Sequence, residues 1–297
     1  MIAPRIRRAF LTAAAALVFL VLAGATYQGV ATALERRRFP HPGRMVDVGD
    51  HQLHIYCLGK GAPTVVLEAP ATGMSAAWGW VQPAVAAVTR VCSYDRAGLG
   101  WSEAGDRRFD PALVPDELHA LLERSGEPGP YVLAGHGLGA AFAMSYAMRY
   151  PVDLAALVLI DPPLDAAPGS SRTDPTRLVK ASPWLARAGV LRATRMLSSS
   201  ATGLPPQPAG ELRAFLNRPD HLTRAGTELS RWNDAITLAG AAALPDDLSV
   251  TRIDAAGQGR TALLTDPGEA KPVASAILDA VSRARREPSI SSPSREP

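Results

Sequence analysis

No charged residue lies between Ala9 and Leu34, no histidine follows His221, and Cys57 and Cys92 are the only cysteines in a chain of 297 residues. Each shortage excludes something. The uncharged run is unsuited to the surface of a soluble body, and its only appreciably polar members are Thr12, Thr26, Gln28 and Thr32. The missing histidine removes the commonest general base from the end of the chain. No internal repeat is visible, which excludes a solenoid or a propeller. A basic excess is also missing outside the N-terminus. Of the 31 Lys and Arg, six precede Phe39, opposed there only by Glu35, so 25 basic residues face 27 of the 28 acidic ones beyond it, a net charge of −2. The sequence pI near 9.1 therefore makes no case for nucleic acid.

A composition 47% hydrophobic and 20% charged suits one globular domain with an appendage. The appendage is residues 1–38. A helix over its uncharged run reaches roughly 39 Å, enough to cross a hydrocarbon core of about 30 Å with some tilt. A membrane anchor is the expectation. The competing reading is a cleaved signal, since Ala23-Gly24-Ala25 has the small residues of a cleavage site, but the apolar run continues past it. Arg5, Arg7 and Arg8 precede the run and Arg36, Arg37 and Arg38 follow it, with Glu35 only on the far side. That asymmetry favours a single-pass protein of the cell membrane with its N-terminus inside and its folded domain extracytoplasmic, the alternative being secretion after cleavage.

The body, residues 39–286, reads as alternating strands and helices. Met45 to Val48 and Gln52 to Cys57 form a hairpin around Gly49-Asp50, Pro63 to Glu68 is a third strand, and Val91-Cys92-Ser93-Tyr94 leads into Asp95-Arg96-Ala97-Gly98. Tyr131 to Ala134 is a short apolar strand, Ala140 to Ala147 a helix of small residues, and Leu157 to Ile160 a further strand ending at Asp161. Between strand and helix stands Gly135-His136-Gly137-Leu138-Gly139, the frame of a nucleophile elbow with glycine where serine is required. This ordered series, from Arg44 to Arg285, resembles the α/β-hydrolase family. The resemblance implies an α/β fold with a mostly parallel central sheet flanked by helices, and a helical lid.

It also implies where the chemistry would sit. In that family a serine attacks a carbonyl, a histidine takes its proton, a carboxylate orients the histidine, and backbone N–H groups hold the oxyanion. The nucleophile position is Gly137, which has no side chain. The histidine position falls within Gln258 to Pro267, where Arg260 is the best match and Leu263 is also permitted by spacing to the final helix. Arginine stays protonated and accepts no proton. The acid is either Asp161 or Asp254, and only Ala255 to Gly259 separate Asp254 from Arg260, so this part of the fold reads as shortened. Leu138 and Ala71 are the oxyanion candidates, although Pro70 stands where the family usually has glycine. A displaced set would have to use Ser75 as nucleophile with His221 as base. His136 reads as a structural neighbour of the elbow, and Ser145 should point away from it.

Residues 162–245, rich in Ala, Arg, Leu, Pro and Ser, read as the lid, with helices at Trp184 to Leu191 and Glu211 to Leu216; residues 287–297 read as a flexible tail. A lid implies a pocket, so a small apolar ligand beneath it or a protein partner is expected, with no cofactor and no metal. The family's sheet order makes the strands of Cys57 and Cys92 neighbours, so the pair is either a disulfide, which needs an oxidising compartment, or two buried thiols. The expectation is a membrane-anchored pseudohydrolase, with an ester or amide hydrolase using displaced groups as the alternative.

Overall fold

The computed structural model describes residues 4–105, 108–163, 175–240, 244–255 and 262–286. Arg260 and the 287–297 tail lie outside these residues, as do 164–174 and 241–243 of the expected lid. The uncharged run and its flanks form one continuous helix, α1 (Pro4–Arg38). Ile6–Arg38 has the length and composition to cross a membrane.

Strands follow where apolar residues cluster between turns: β1 (Arg44–Asp47), β2 (Gln52–Leu58), β3 (Thr64–Glu68), β4 (Val91–Tyr94), β5 (Tyr131–His136), β6 (Leu154–Ile160) and β7 (Ser249–Ile253). They form one sheet in the order β1-β2-β4-β3-β5-β6-β7. The first hairpin pairs antiparallel, Arg44 opposite Ile55, and β2 pairs antiparallel with β4. Every later pairing is parallel. Cys57 stands directly opposite Cys92 in the β2–β4 ladder, and the two are joined by a disulfide. Glu127 lies beside them. Both sulfurs are spent in the bridge, so the three residues do not make a metal site.

Helices cover both faces, which is why the central strands are apolar on alternate residues of both parities. α2 (Val81–Ala86) lies between β3 and β4, α3 (Val114–Ser125) between β4 and β5, and α4 (Leu138–Arg149) between β5 and β6. Between β6 and β7 come α5 (Pro175–Arg187), α6 (Val190–Thr194), α7 (Pro206–Phe215), α8 (Pro219–Ser230) and α9 (Trp232–Gly240); α10 (Ala262–Thr265) and α11 (Pro267–Arg286) follow β7. Val66, Leu133 and Leu157 pack with α3 and α4 on one face. Val65, Val132 and Val158 pack with α2 and α11 on the other.

Two details differ from the sequence reading. The helix expected over Trp184 to Leu191 is two helices, because Gly189 takes a left-handed conformation (φ 72°) and turns the chain between α5 and α6. The last helix of the expected lid, α9, returns to the sheet, with Ala235 and Ala239 buried in the same core as Phe142 of α4.

Candidate active-site elbow

The chain turns sharply from β5 into α4 at Gly137, which takes φ 57° and ψ −122° and donates its N–H to the Ile160 carbonyl at 2.9 Å. A side chain rarely tolerates such a φ, and glycine adopts it without strain. Space is not the obstacle. A Cβ at Gly137 would find only Pro70 Cβ nearby, at 4.0 Å, whereas one at Gly139 would fall 2.4 Å from the Ala69 carbonyl oxygen. The turn therefore keeps the shape that presents a nucleophile while offering none. Leu138 opens α4, where first-turn N–H groups have no helical acceptor, so the electropositive helix end survives at the elbow.

The facing loop, residues 69–74, is held by a buried ionic cluster that the sequence reading did not single out. Arg96, directly after β4, donates from Nη1 to Glu68 Oε1 (2.5 Å) and to the Ala69 carbonyl (2.7 Å). Its Nη2 reaches the Pro70 carbonyl (3.0 Å) and Glu228 Oε2 (2.9 Å), and its Nε reaches Glu228 Oε1 (2.7 Å). Tyr94 donates its hydroxyl to Glu68. Arg96, Glu68 and Glu228 are all essentially inaccessible. Burial pushes the Glu68 carboxyl up, more than Arg96 and Tyr94 pull it down. Burial alone would lower Arg96, but the Glu228 and Glu68 carboxylates outweigh it and hold the guanidinium firmly charged. Glu228 belongs to α8, so the lid is fastened to the loop that carries Ala71. A short acidic-basic pair after a buried strand, Asp95-Arg96, was the available signal; Glu228 offered none.

Asp95 anchors a second buried cluster. Its Oδ1 accepts from the Ser75 N–H (2.6 Å), and its Oδ2 accepts from the Trp101 N–H (2.9 Å) and pairs with His54 Nδ1 (3.0 Å). Burial would raise this carboxyl, yet His54 and the two backbone donors overcome it and leave it below the ordinary value. The remaining ring nitrogen of His54 accepts from the Gly43 N–H at 3.3 Å, so the imidazole is committed to structure.

The displaced set fares no better. His221 is buried, with Nδ1 accepting from the Gly100 N–H (3.1 Å) and Nε2 at 3.2 Å from the Thr72 carbonyl, which fixes the neutral tautomer protonated at Nε2. Burial lowers its pKa, more than the Thr72 carbonyl and nearby carboxylates raise it. Among the described residues, Ser75 Oγ is buried without a hydrogen-bond partner. His136, beside the elbow, is buried; Ser145 bonds back to the Ala141 carbonyl along α4.

The acid candidates separate. Asp161 follows β6 with φ 44° and donates its N–H to the Ile253 carbonyl at the end of β7, while Asp254 is exposed and paired with Arg252 at 2.8 Å. The structure brings Gly137 and Asp161 to the carboxyl ends of adjacent strands. Two cavities, of about 470 and 160 Å³, open elsewhere, and neither is lined by Gly137, Leu138 or Ala71.

A family model described as alpha/beta hydrolase fold matches residues 63–195, the stretch from β3 through the elbow to α6. Among solved structures, the Cif epoxide hydrolase from Acinetobacter nosocomialis superposes with a TM-score of 0.65 over 86% of this chain and 96% of its own, at 12% identity. This is an α/β-hydrolase fold. Cfl2 from Burkholderia cenocepacia aligns with a TM-score of 0.59 and 21% identity, covering 80% of this chain and 95% of that one. At such identities the likeness concerns the fold alone, and the sequence's resemblance to the α/β-hydrolase family stands with it. A curated relative, the (lyso)-N-acylphosphatidylethanolamine lipase of Bos taurus, is 32% identical over 120 residues, 38% of this chain and 35% of that protein. YbdG of Bacillus subtilis is 29% identical over 125 residues, 40% of this chain and 37% of its own. The matches thus span well under half the length of these curated relatives.

Proposed function

We propose that this protein is a membrane-anchored α/β-hydrolase-fold pseudohydrolase, which keeps the frame of an acyl-transfer site and acts by binding a small ligand or a protein partner. The observation that carries the reading is Gly137, a nucleophile position with the elbow's backbone geometry, room for a side chain, and no hydroxyl. His221 supports it, since both of its ring nitrogens are engaged by the loops they brace and neither is free to take a proton. In a serine protease, losing nucleophile and base together costs about a million-fold in turnover, which leaves no useful hydrolysis. The helix α1 supports the anchor, and the Cys57–Cys92 disulfide supports a folded domain on the oxidising, extracytoplasmic side. The lipase among the relatives makes an acyl or lipid-like molecule the first ligand class to test.

The test is a serine-reactive fluorophosphonate probe applied to the intact protein, beside ester substrates of graded acyl chain length. No specific labelling and no turnover above a heat-denatured control are expected. Covalent labelling of one serine, Ser75 above all, would overturn the reading in favour of a hydrolase with displaced groups.

A further inference from the structure

The polar interruptions of the apolar run are not scattered around α1. Gln28, Thr32 and Glu35 fall at helical spacing on one stripe, continued upward by Gly24, and that stripe is withdrawn from solvent while its surroundings are bare. What covers it is the lid. Arg192 of α6 donates from Nε to Gln28 Oε1 at 2.8 Å and from Nη2 to Glu35 Oε2 at 2.9 Å, with a second contact from Nη1 to Glu35. Gln28 Nε2 donates to the Asn217 carbonyl at 2.6 Å, and Gln28 is only 5% exposed. At Gly24 the two backbones touch, since a Cβ there would lie 2.1 Å from the Ala188 carbonyl oxygen.

This docking shortens the part of α1 that can sit in lipid. From Ala9 to Ala23 the helix is uncharged and clear of the lid, a length of about 22 Å at 1.5 Å per residue, which reaches across a hydrocarbon core of about 30 Å only with the bilayer thinned around it and the side chains of Arg7 and Arg8 extended toward the far headgroups. The apolar run as a whole is longer, but its last third is claimed by polar contacts with the lid. The face of the bilayer therefore falls near Gly24, level with Ala188. Within eight residues of Ala188 the lid exposes Trp184 (70%), Val190 (38%) and Met196 (50%). The Arg187 guanidinium lies 5.1 Å from the Trp184 ring centroid. Tryptophan beside arginine suits the zone between headgroups and acyl chains, where an apolar ring and a charge are both accommodated.

We infer that α1 is a strut as well as an anchor: it fixes the lid against the lipid surface, with Trp184, Val190 and Met196 seated in the bilayer interface. The inference rests on the anchor reading and extends it to the lid's position.

The test uses the full-length protein in phosphatidylcholine vesicles. The native cysteines are bonded to each other, so single variants Phe19→Cys, Trp184→Cys, Met196→Cys and Val152→Cys can each carry an environment-sensitive fluorophore. Val152, in the turn just before β6, is 90% exposed and serves as the aqueous control. Labels at positions 19, 184 and 196 are expected to be quenched severalfold more by spin-labelled lipid than the label at 152, and less by aqueous iodide. Adding Arg192→Ala should return the labels at 184 and 196 toward water and leave position 19 unchanged. A lipid-buried label at 19 with water-exposed labels at 184 and 196 would overturn the strut and spare the anchor. A water-exposed label at 19 would overturn both.

Discussion

On the proposed reading, the nucleophile is lost at Gly137 and the base of the displaced set, His221, is held in structural hydrogen bonds. At Gly137 the backbone is already in the conformation a nucleophilic serine would strain to hold, and the position is open to within 4.0 Å of Pro70. Gly137→Ser should therefore fold, at a cost of about 1–3 kcal/mol for a side chain at positive φ. It should gain no appreciable ester hydrolysis, because His221 and His54 have both ring nitrogens committed to other partners. Urea unfolding and an ester assay check the two halves, and substantial turnover by the single variant would show that a base lies nearby. Adding Arg260→His, chosen from spacing along the chain, is the variant expected to gain activity. His221 makes a different prediction. Its folded pKa is depressed below 6.5 by burial, so the unfolded chain binds the extra proton first. Its contribution to stability is complete above pH 6.5 and is lost as pH falls through the lower, folded value. Urea midpoints should drop on acidification from pH 6.5 toward the folded value, and in His221→Gln the drop should be smaller. An equal drop in both proteins would remove His221 as its source.

Among the elements, α8 is tied to the loop after β3 by charge rather than by apolar burial. The Arg96 guanidinium serves Glu68 of the sheet and Glu228 of the lid at once. Arg96→Met would leave two carboxylates buried without their cation, and breaking a buried pair this way typically costs about 3–5 kcal/mol. Protonating the carboxyls relieves the burden. The gap between variant and wild type in urea midpoint should therefore narrow as pH is lowered from neutrality toward about 4.5, where glutamates begin to protonate. A gap that stays constant would mean that lost packing against Phe142, not charge, dominates. The strands themselves were legible because local pattern determines them: β2 through β6 are short apolar runs closed by turn residues, and the elbow is announced by Gly135 and Gly139. The α5–α6 break was less so, since Gly189 in an otherwise helical run is compatible with either outcome.

At the scale of the whole molecule, legibility fails where partners are far apart in sequence. Glu228 meets Arg96 across 132 residues and Glu35 meets Arg192 across 157, and no local periodicity encodes such pairs. The long apolar helix was plain from composition, but its attachment to the lid was not, because Gln28 and Thr32 read as tolerated interruptions until Arg192 is seen beside them. The disulfide was intermediate. That its strands are neighbours follows from the family's sheet order, while the facing of Cys57 and Cys92 is set by the register of the β2–β4 ladder. The attachment makes the body and the appendage energetically dependent. Removing residues 1–38 strips Arg192 of Glu35 and Gln28 and uncovers the Ala188 backbone, yet leaves both faces of the sheet with their own helices. Amide exchange should therefore quicken in residues 184–196 of the truncated protein and stay unchanged in β3, β5 and β6, as expected when one weakly held unit opens below the global transition. Uniform quickening across the sheet would instead show that α1 supports the entire domain, and unchanged exchange throughout would show that the Arg192 contacts add nothing to the lid's stability.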